Sequence, residues 1–372
     1  MPQPSLARWK RCLRKAAAGG PLTLGFLGGS ITQGSLASAP GNTYAAQTAG
    51  WWRARFPKAG VRMLNAGIGG TSSHFGAARA AEDLLAFSPD AVVVDFSVND
   101  EVNDYFPQAV DSADFFKETY EGLLRRLLTA PGAPAVLLLN NVYYDTGKSA
   151  QDLHNAVGDH YALPHVSVRD TIWQRMRAGQ YTRAQLTPDG LHPNDFGHGL
   201  IAAELAAFFE GVLARIDEPD PPEPPLPAPL TPNGYEHARR ITALHPGQCG
   251  IRLAGFAADA RNKEGLLDLF KNGWLGRQPG DAIEFALEGR CLAVQYKKAV
   301  APARRARLVL DGDEAHPRIL DGHFPNGWGD WLYLEPVLHH GAPGPHTLRL
   351  EVLPGGGEDS EPFCLVSLIL AP

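Results

Sequence analysis

Short apolar runs alternate with helical patterns through the first 216 residues. The runs PLTLGFLG, VRMLNAG, AVVVDFS, PAVLLLNNV and HVSV are β-branched or leucine-rich on both faces, the pattern of parallel strands covered by helices. Between them lie TYAAQTAGWWRARF, AARAAEDLLAF, ADFFKETYEGLLRRLLT and SAQDLHNAVGDHYA, and after them DFGHGLIAAELAAFFEGVLARI. Strands and helices alternating at this length predict a doubly wound α/β domain over residues 1–216. A leading helix is expected over 5–18, with Leu6, Trp9 and Leu13 on its apolar stripe. Its other face, Arg8, Lys10, Arg11, Arg14 and Lys15, is expected to be solvated.

The texture changes after residue 232. GIRLAGFA, DAIEFALEG, CLAVQYKK, ARLVLDG, HTLRLEVL and FCLVSLILA are short alternating runs punctuated by Gly, Pro and Asp. They predict an all-β sandwich over 233–372. Between the two textures, residues 217–232 (DEPDPPEPPLPAPLTP) hold eight prolines and four acids. Such a composition forms neither a helix nor a central strand and reads as a semi-rigid extended linker.

Composition narrows the field. At 372 residues, 44% hydrophobic and 20% charged, the chain has the profile of a two-domain globular protein. No uninterrupted apolar run approaches the ~18 residues of a membrane span, and the basic N-terminus has no apolar h-region behind it, so a cytoplasmic protein without a membrane partner is expected. The net charge is −6, with 19 basic and 19 acidic side chains in residues 1–216, which offers no basic field to nucleic acid. Cys12, Cys249, Cys291 and Cys364 are scattered. Without a C-x-x-C pair or a His cluster, no metal or cofactor is expected.

Ligands of open α/β sheets bind outside the carboxyl ends of the strands, and four such ends carry suggestive residues. GGSIT presents Ser30, NAGIGG presents Gly69 and Gly70, SVND presents Asn99, and the late loop DGLHP presents Asp189 and His192. A glycine-flanked serine alone is a common turn. An Asp and a His three apart on one loop say more, because the carboxylate can hold imidazole Nδ1 and leave Nε2 to take a proton from a serine.

In this order the blocks GGSIT, NAGIGG, SVND and DGLHP resemble those of the SGNH, or GDSL, hydrolases across residues 22 to about 215. The resemblance implies a three-layer, flavodoxin-like parallel sheet, with the all-β, jelly-roll-like sandwich following it. It also implies a Ser30 nucleophile, a His192 base and an orienting Asp189. The oxyanion hole would be made of the Ser30 and Gly70 N–H groups and the Asn99 amide. Two positions depart from the family habit: its Asp before the serine is Gly29 here, and the Gly of its third block is Ser97. GGSIT is similar to the variant found in bacterial carbohydrate esterases of this fold. The expected activity is therefore removal of acetyl groups from an oligosaccharide. The alternatives are lipase-like or thioesterase action on longer acyl chains, or a catalytically idle carbohydrate binder. A homo-oligomer is left open.

Other candidates carry competing readings. Asp100 is a candidate substrate contact, and with Glu101 it equally fits a solvated carboxylate at a helix start. His74, His154 and His198 read as surface or packing residues, and Arg304, Arg305 and Arg307 as a solvated strand edge. Phe324, Trp328, Trp331 and Tyr333 lie in a Gly-rich loop, with Trp274 in another. Trp328 and Trp331 are candidate sugar platforms, as in carbohydrate-binding modules fused to such esterases, and all these aromatics equally fit the end of a sandwich core.

Overall fold

The computed structural model describes residues 4–101, 110, 112–220, 223, 225–245, 247–357 and 359–372. The chain divides into two compact units, the second made of His237–Pro372 and, from within the first part of the chain, Val110. In the first, β1 (Leu22–Gly28), β2 (Val61–Gly67), β3 (Ala91–Asp95), β4 (Ala135–Asn140) and β5 (His165–Ser167) form a parallel sheet in the order β2-β1-β3-β4-β5. That is the flavodoxin-like order, whose topological switch falls between β1 and β3. Every residue of β3 and β4 is buried, which is why both read as continuous apolar runs.

The helices are α1 (Ala7–Ala17), α2 (Ser30–Gln33), α3 (Tyr44–Arg55), α4 (Ser73–Asp83), α5 (Ala113–Leu128), α6 (Gln151–His160), α7 (Gln174–Arg177), α8 (Arg183–Leu186) and α9 (Asp195–Leu213). Trp9 and Leu13 of α1, Trp52 of α3 and Leu205 and Phe209 of α9 share one core with Leu24, Phe26, Val93 and Leu137. Strand residues of the other parity, among them Leu27, Val92, Val94 and Leu138, are buried on the opposite face. There α6 approaches so closely that a Cβ on Gly158 would collide with Leu138. Helix α9 is long and apolar enough to cross a membrane by length and composition, with a mean hydropathy of 1.4. In this fold its Ile201, Leu205, Phe209 and Val212 face the core.

The proline-rich stretch behaves differently from a spacer. Lys10 donates to Glu218 O at 2.9 Å and pairs with Asp220 at 2.9 Å, and Arg8 pairs with Glu223 at 3.2 Å. Farther along, Arg125 donates to Pro227 O at 2.9 Å, while Leu230 N and Thr231 N donate to Glu121 at 2.6 and 2.8 Å. Residues 221, 222 and 224 lie outside the described residues. The segment is thus a strap held along the first unit. The expected solvated face of α1 is corrected in part, since Lys10 is only 3% exposed. Its ammonium is engaged by the strap because prolines leave the carbonyls of their neighbours without helical or sheet partners.

The second unit is a sandwich of two antiparallel sheets. One has the order β13 (Arg318–Asp321), β12 (Arg305–Leu310), β15 (Pro345–Val352), β10 (Ala282–Glu288), β7 (Gly250–Ala254). The other runs β14 (Trp331–Leu338), β11 (Cys291–Lys298), β16 (Phe363–Ala371), β9 (Trp274–Gly276), β8 (Ala257–Ala258), and β6 (Arg239–Ile241) pairs with β16. Phe285, Leu308 and Leu350 of the first meet Trp274, Val294 and Leu368 of the second in a shared core. The arginine run is not at a sheet edge. Strand β12 lies between two neighbours, Arg304 is buried, and it donates to Gly355 O at 2.7 Å.

Candidate active site

Ser30 opens α2 directly beyond the carboxyl end of β1. Its neighbour Gly29 has φ −88°, so the backbone there does not demand glycine. Space does: a Cβ on Gly29 would collide with Asn99 Oδ1. In this chain the amide of Asn99 lies where a side chain at residue 29 would begin. Asn99 itself sits in the turn after β3, where its N–H donates to Phe96 O at 3.0 Å and Tyr143 Oη donates to Val98 O at 3.1 Å. From the other side comes the loop after β2. A Cβ on Gly69 would lie 3.5 Å from Ser30 Cβ, so that loop lies against the serine. The N–H of Gly69 donates to Gln33 Oε1 at 2.6 Å. Gly70 follows at φ +68°, a left-handed conformation open to glycine at little strain.

The loop between α8 and α9 carries the other two groups. Asp189 Oδ1 accepts from Leu191 N at 2.9 Å, His192 N at 2.8 Å and Thr187 Oγ1 at 3.1 Å, while Oδ2 lies 2.7 Å from His192 Nδ1. Burial pushes the Asp189 carboxyl up, but the His192 ring and the two backbone N–H groups outweigh it and hold the group below its ordinary value. His192 Nε2 lies 2.8 Å from Ser30 Oγ. The loop is pinned at its far end by Asn194, whose Oδ1 accepts from Gly197 N at 3.0 Å as the N-cap of α9. An anionic carboxylate at Nδ1 fixes the tautomer, and Nε2 can then take the serine proton as the hydroxyl attacks a carbonyl.

Of the expected substrate contacts, two are corrected. Asp100 is 1% exposed. Its Oδ1 accepts from Ser73 N at 2.9 Å at the start of α4, and its Oδ2 lies 3.0 Å from His154 Nε2. It is neither a solvated carboxylate nor a substrate ligand, because a buried charge must be paired and this one spends both oxygens on protein donors. His154 stacks on Tyr120 at 3.6 Å, a packing role as expected. Trp331 is also corrected: at 5% exposure it lies beneath Trp328, Phe324 and Tyr333. Aromatic area buried this way belongs to packing, whereas Trp328 is 61% exposed. Glu101 is half-buried, and its carboxyl is pushed up by burial against the pull of Lys148 and Arg169.

His198 is buried and structural. Its Nδ1 accepts from Tyr44 N at 3.2 Å, its Nε2 lies 3.3 Å from Ser35 O, and burial lowers its pKa. Two groups beside Ser30 were not singled out from sequence. Gln33 recurs one turn after the serine, a spacing that marks a shared helix face, and Asp95 interrupts the apolar run of β3 at its last residue.

The model of the GDSL-like lipase/acylhydrolase family matches residues 26–200. An acetylxylan esterase of Geobacillus stearothermophilus is 30% identical over 213 residues, which make up 51% of this chain and 95% of that protein. The chain belongs to the GDSL-like lipase/acylhydrolase family. It is a carboxylic ester hydrolase of that family, and two crystal structures resemble it over nearly its full length. A two-domain esterase active on acetylated mannans, co-crystallised with mannopentaose, is 41% identical with a TM-score of 0.91, covering 99% of this chain and 95% of that one. A further structure of a two-domain esterase active on acetylated mannans gives 41% identity and a TM-score of 0.92, covering 99% of this chain and 96% of the other.

Proposed function

We propose that this GDSL-family hydrolase is a serine esterase that removes acetyl groups from the hydroxyls of an oligosaccharide. The observation that carries it is the relay from Asp189 Oδ2 through His192 to Ser30 Oγ, at 2.7 and 2.8 Å. In this reading Ser30 attacks the acetyl carbonyl while His192 takes its proton, and the Ser30 N–H, the Gly70 N–H and the Asn99 amide stabilise the oxyanion. One such donor is worth about 3 kcal/mol of barrier. His192 then protonates the departing sugar hydroxyl, and a water deprotonated by His192 releases acetate from Ser30. The carbohydrate class is supported by the acetylxylan and acetylmannan esterases to which the chain is similar.

The test is incubation with acetylated xylo- and manno-oligosaccharides, read by mass spectrometry. Stepwise loss of acetyl by the native chain and none by Ser30→Ala is expected. Turnover by Ser30→Ala equal to the native rate refutes the nucleophile. A chain-length series of nitrophenyl esters that favours long acids refutes the acetyl preference. A cytoplasmic, reducing setting fits the four cysteines, which form no disulfide among the described residues and of which three are buried.

A further inference from the structure

We propose that Thr32 and Asp95 are positioning residues for the reaction: a buried hydrogen-bonded chain from Tyr44 through Thr32 to Asp95 clamps the single helical turn that carries Ser30 onto the end of β3. The inference rests on Ser30 being the nucleophile. Helix α2 has four residues, too few to hold its own geometry, since one turn fixes several dihedrals for a single backbone hydrogen bond. Its orientation must therefore come from bonds to the elements around it.

Asp95 supplies it from both sides of the serine. Its carbonyl accepts from Gly29 N at 3.2 Å, and its Oδ2 accepts from Thr32 Oγ1 at 2.9 Å. Thr32 Oγ1 also lies 2.7 Å from Tyr44 Oη. With its own proton given to Asp95, the threonine accepts from the tyrosine. Asn65 Nδ2 adds a bond to Thr32 O at 2.8 Å. Residue 28 is glycine for the same reason, because a Cβ there would collide with Thr32 Oγ1 and with Asp95 O.

The carboxylate is costly where it stands. Asp95 is buried at the end of an otherwise apolar strand, and its Oδ1 makes no hydrogen bond of good geometry among the described residues, the Asn141 amide being near enough to favour the charge without an aligned bond. Burial pushes its carboxyl up to about 6, against the opposing effect of Asn141 and Thr32 and with a further upward push from Asp100. A residue chosen for packing would be another valine. A half-satisfied buried charge that breaks the local pattern beside the reacting hydroxyl is the kind of exception expected where geometry serves chemistry.

The test compares Thr32→Val, which keeps shape and deletes the hydroxyl, with Thr32→Ser, which keeps it. For Thr32→Val kcat should fall about ten- to a hundredfold with KM within about twofold, in line with the rate penalty of a small misplacement. Labelling of Ser30 by a serine-reactive phosphonate should fall in parallel, and Thr32→Ser should restore both. Equal losses in the two variants, or full kcat in a folded Thr32→Val, overturns the proposal. Should Thr32→Val not fold, Asp95→Asn, which keeps an acceptor for Thr32, is expected to retain kcat while Asp95→Leu loses it; equal kcat in these two overturns the proposal instead. Failure of the nucleophile reading is seen separately, as full turnover by Ser30→Ala.

Discussion

Gly29→Ala adds one carbon and should disable the enzyme. The backbone at residue 29 has φ −88°, so alanine meets no left-handed penalty, and the whole effect arises where its Cβ meets Asn99 Oδ1. Asn99 is 8% exposed in a turn fixed by Phe96 O and Tyr143, so its amide must swing away rather than settle nearby. Losing one donor to the oxyanion removes about 3 kcal/mol of transition-state stabilisation, a factor of roughly 10² to 10³ in kcat. Substrate binding in the ground state does not use that donor, so KM should hardly move. The assay is steady-state hydrolysis of nitrophenyl acetate by four proteins: native, Gly29→Ala, Asn99→Ala and the double variant. If the alanine acts through Asn99, it costs little more once the amide is gone, and the two losses do not add. Native-like kcat in Gly29→Ala, or additive losses in the double variant, would refute the reasoning. Gly29→Asp, which installs the family's usual residue, should be at least as damaging.

Glu121 ties the strap through Leu230 and Thr231 and also accepts from Tyr161 of the first unit. Burial pushes its carboxyl up, but these donors outweigh it and hold the group below its ordinary value, so its stabilisation is present above the ordinary glutamate range and lost as pH falls below it. Glu121→Ala should lower stability by about 3 kcal/mol, the scale of a charged hydrogen bond lost in a buried site, and should speed amide exchange at Leu230 and Thr231; unchanged exchange there counts against the clasp. Asp95 shifts the opposite way, up to about 6, so the folded state binds its proton more tightly and loses stability as pH rises from about 4 to 6. Asp95→Asn should therefore match the native chain in urea unfolding near pH 4 and exceed it by about 3 kcal/mol at pH 8. An equal gain at both pH values contradicts the buried anion.

The five strands of the first unit and its long helices follow the apolar pattern closely, because a sheet covered on both faces leaves an unbroken signature. The serine, histidine and aspartate were equally visible, since each sits at a strand end or on a loop bounded by Pro and Gly. Asp100 was misread because its partners, Ser73 and His154, are 27 and 54 residues away, and no local pattern records such a pairing. The tryptophan pair shows the same limit, since Trp328 and Trp331 are alike in sequence and opposite in exposure. In the second unit, β14 escaped notice because Pro336 interrupts it. The structure tolerates that proline because β14 is a sheet edge, with an irregularity in its partner at Leu292 and Ala293. Strands β8 and β9, two and three residues long, are too short to show a period.

The strap also bears on the order in which the molecule is made. The first unit's sheet is complete at Ser167 and its last helix at Leu213, yet Glu121 and Arg125, which Tyr161 already bonds, gain the rest of their partners at Pro227, Leu230, Thr231 and Glu236. A chain emerging from the ribosome N-terminus first would hold a nearly finished catalytic unit whose Glu121 has Tyr161 but not yet the strap's donors until some twenty more residues had followed. Truncation at residue 216 would make that interim state permanent, whereas a cut after Glu236 would release a unit that carries its own fastening.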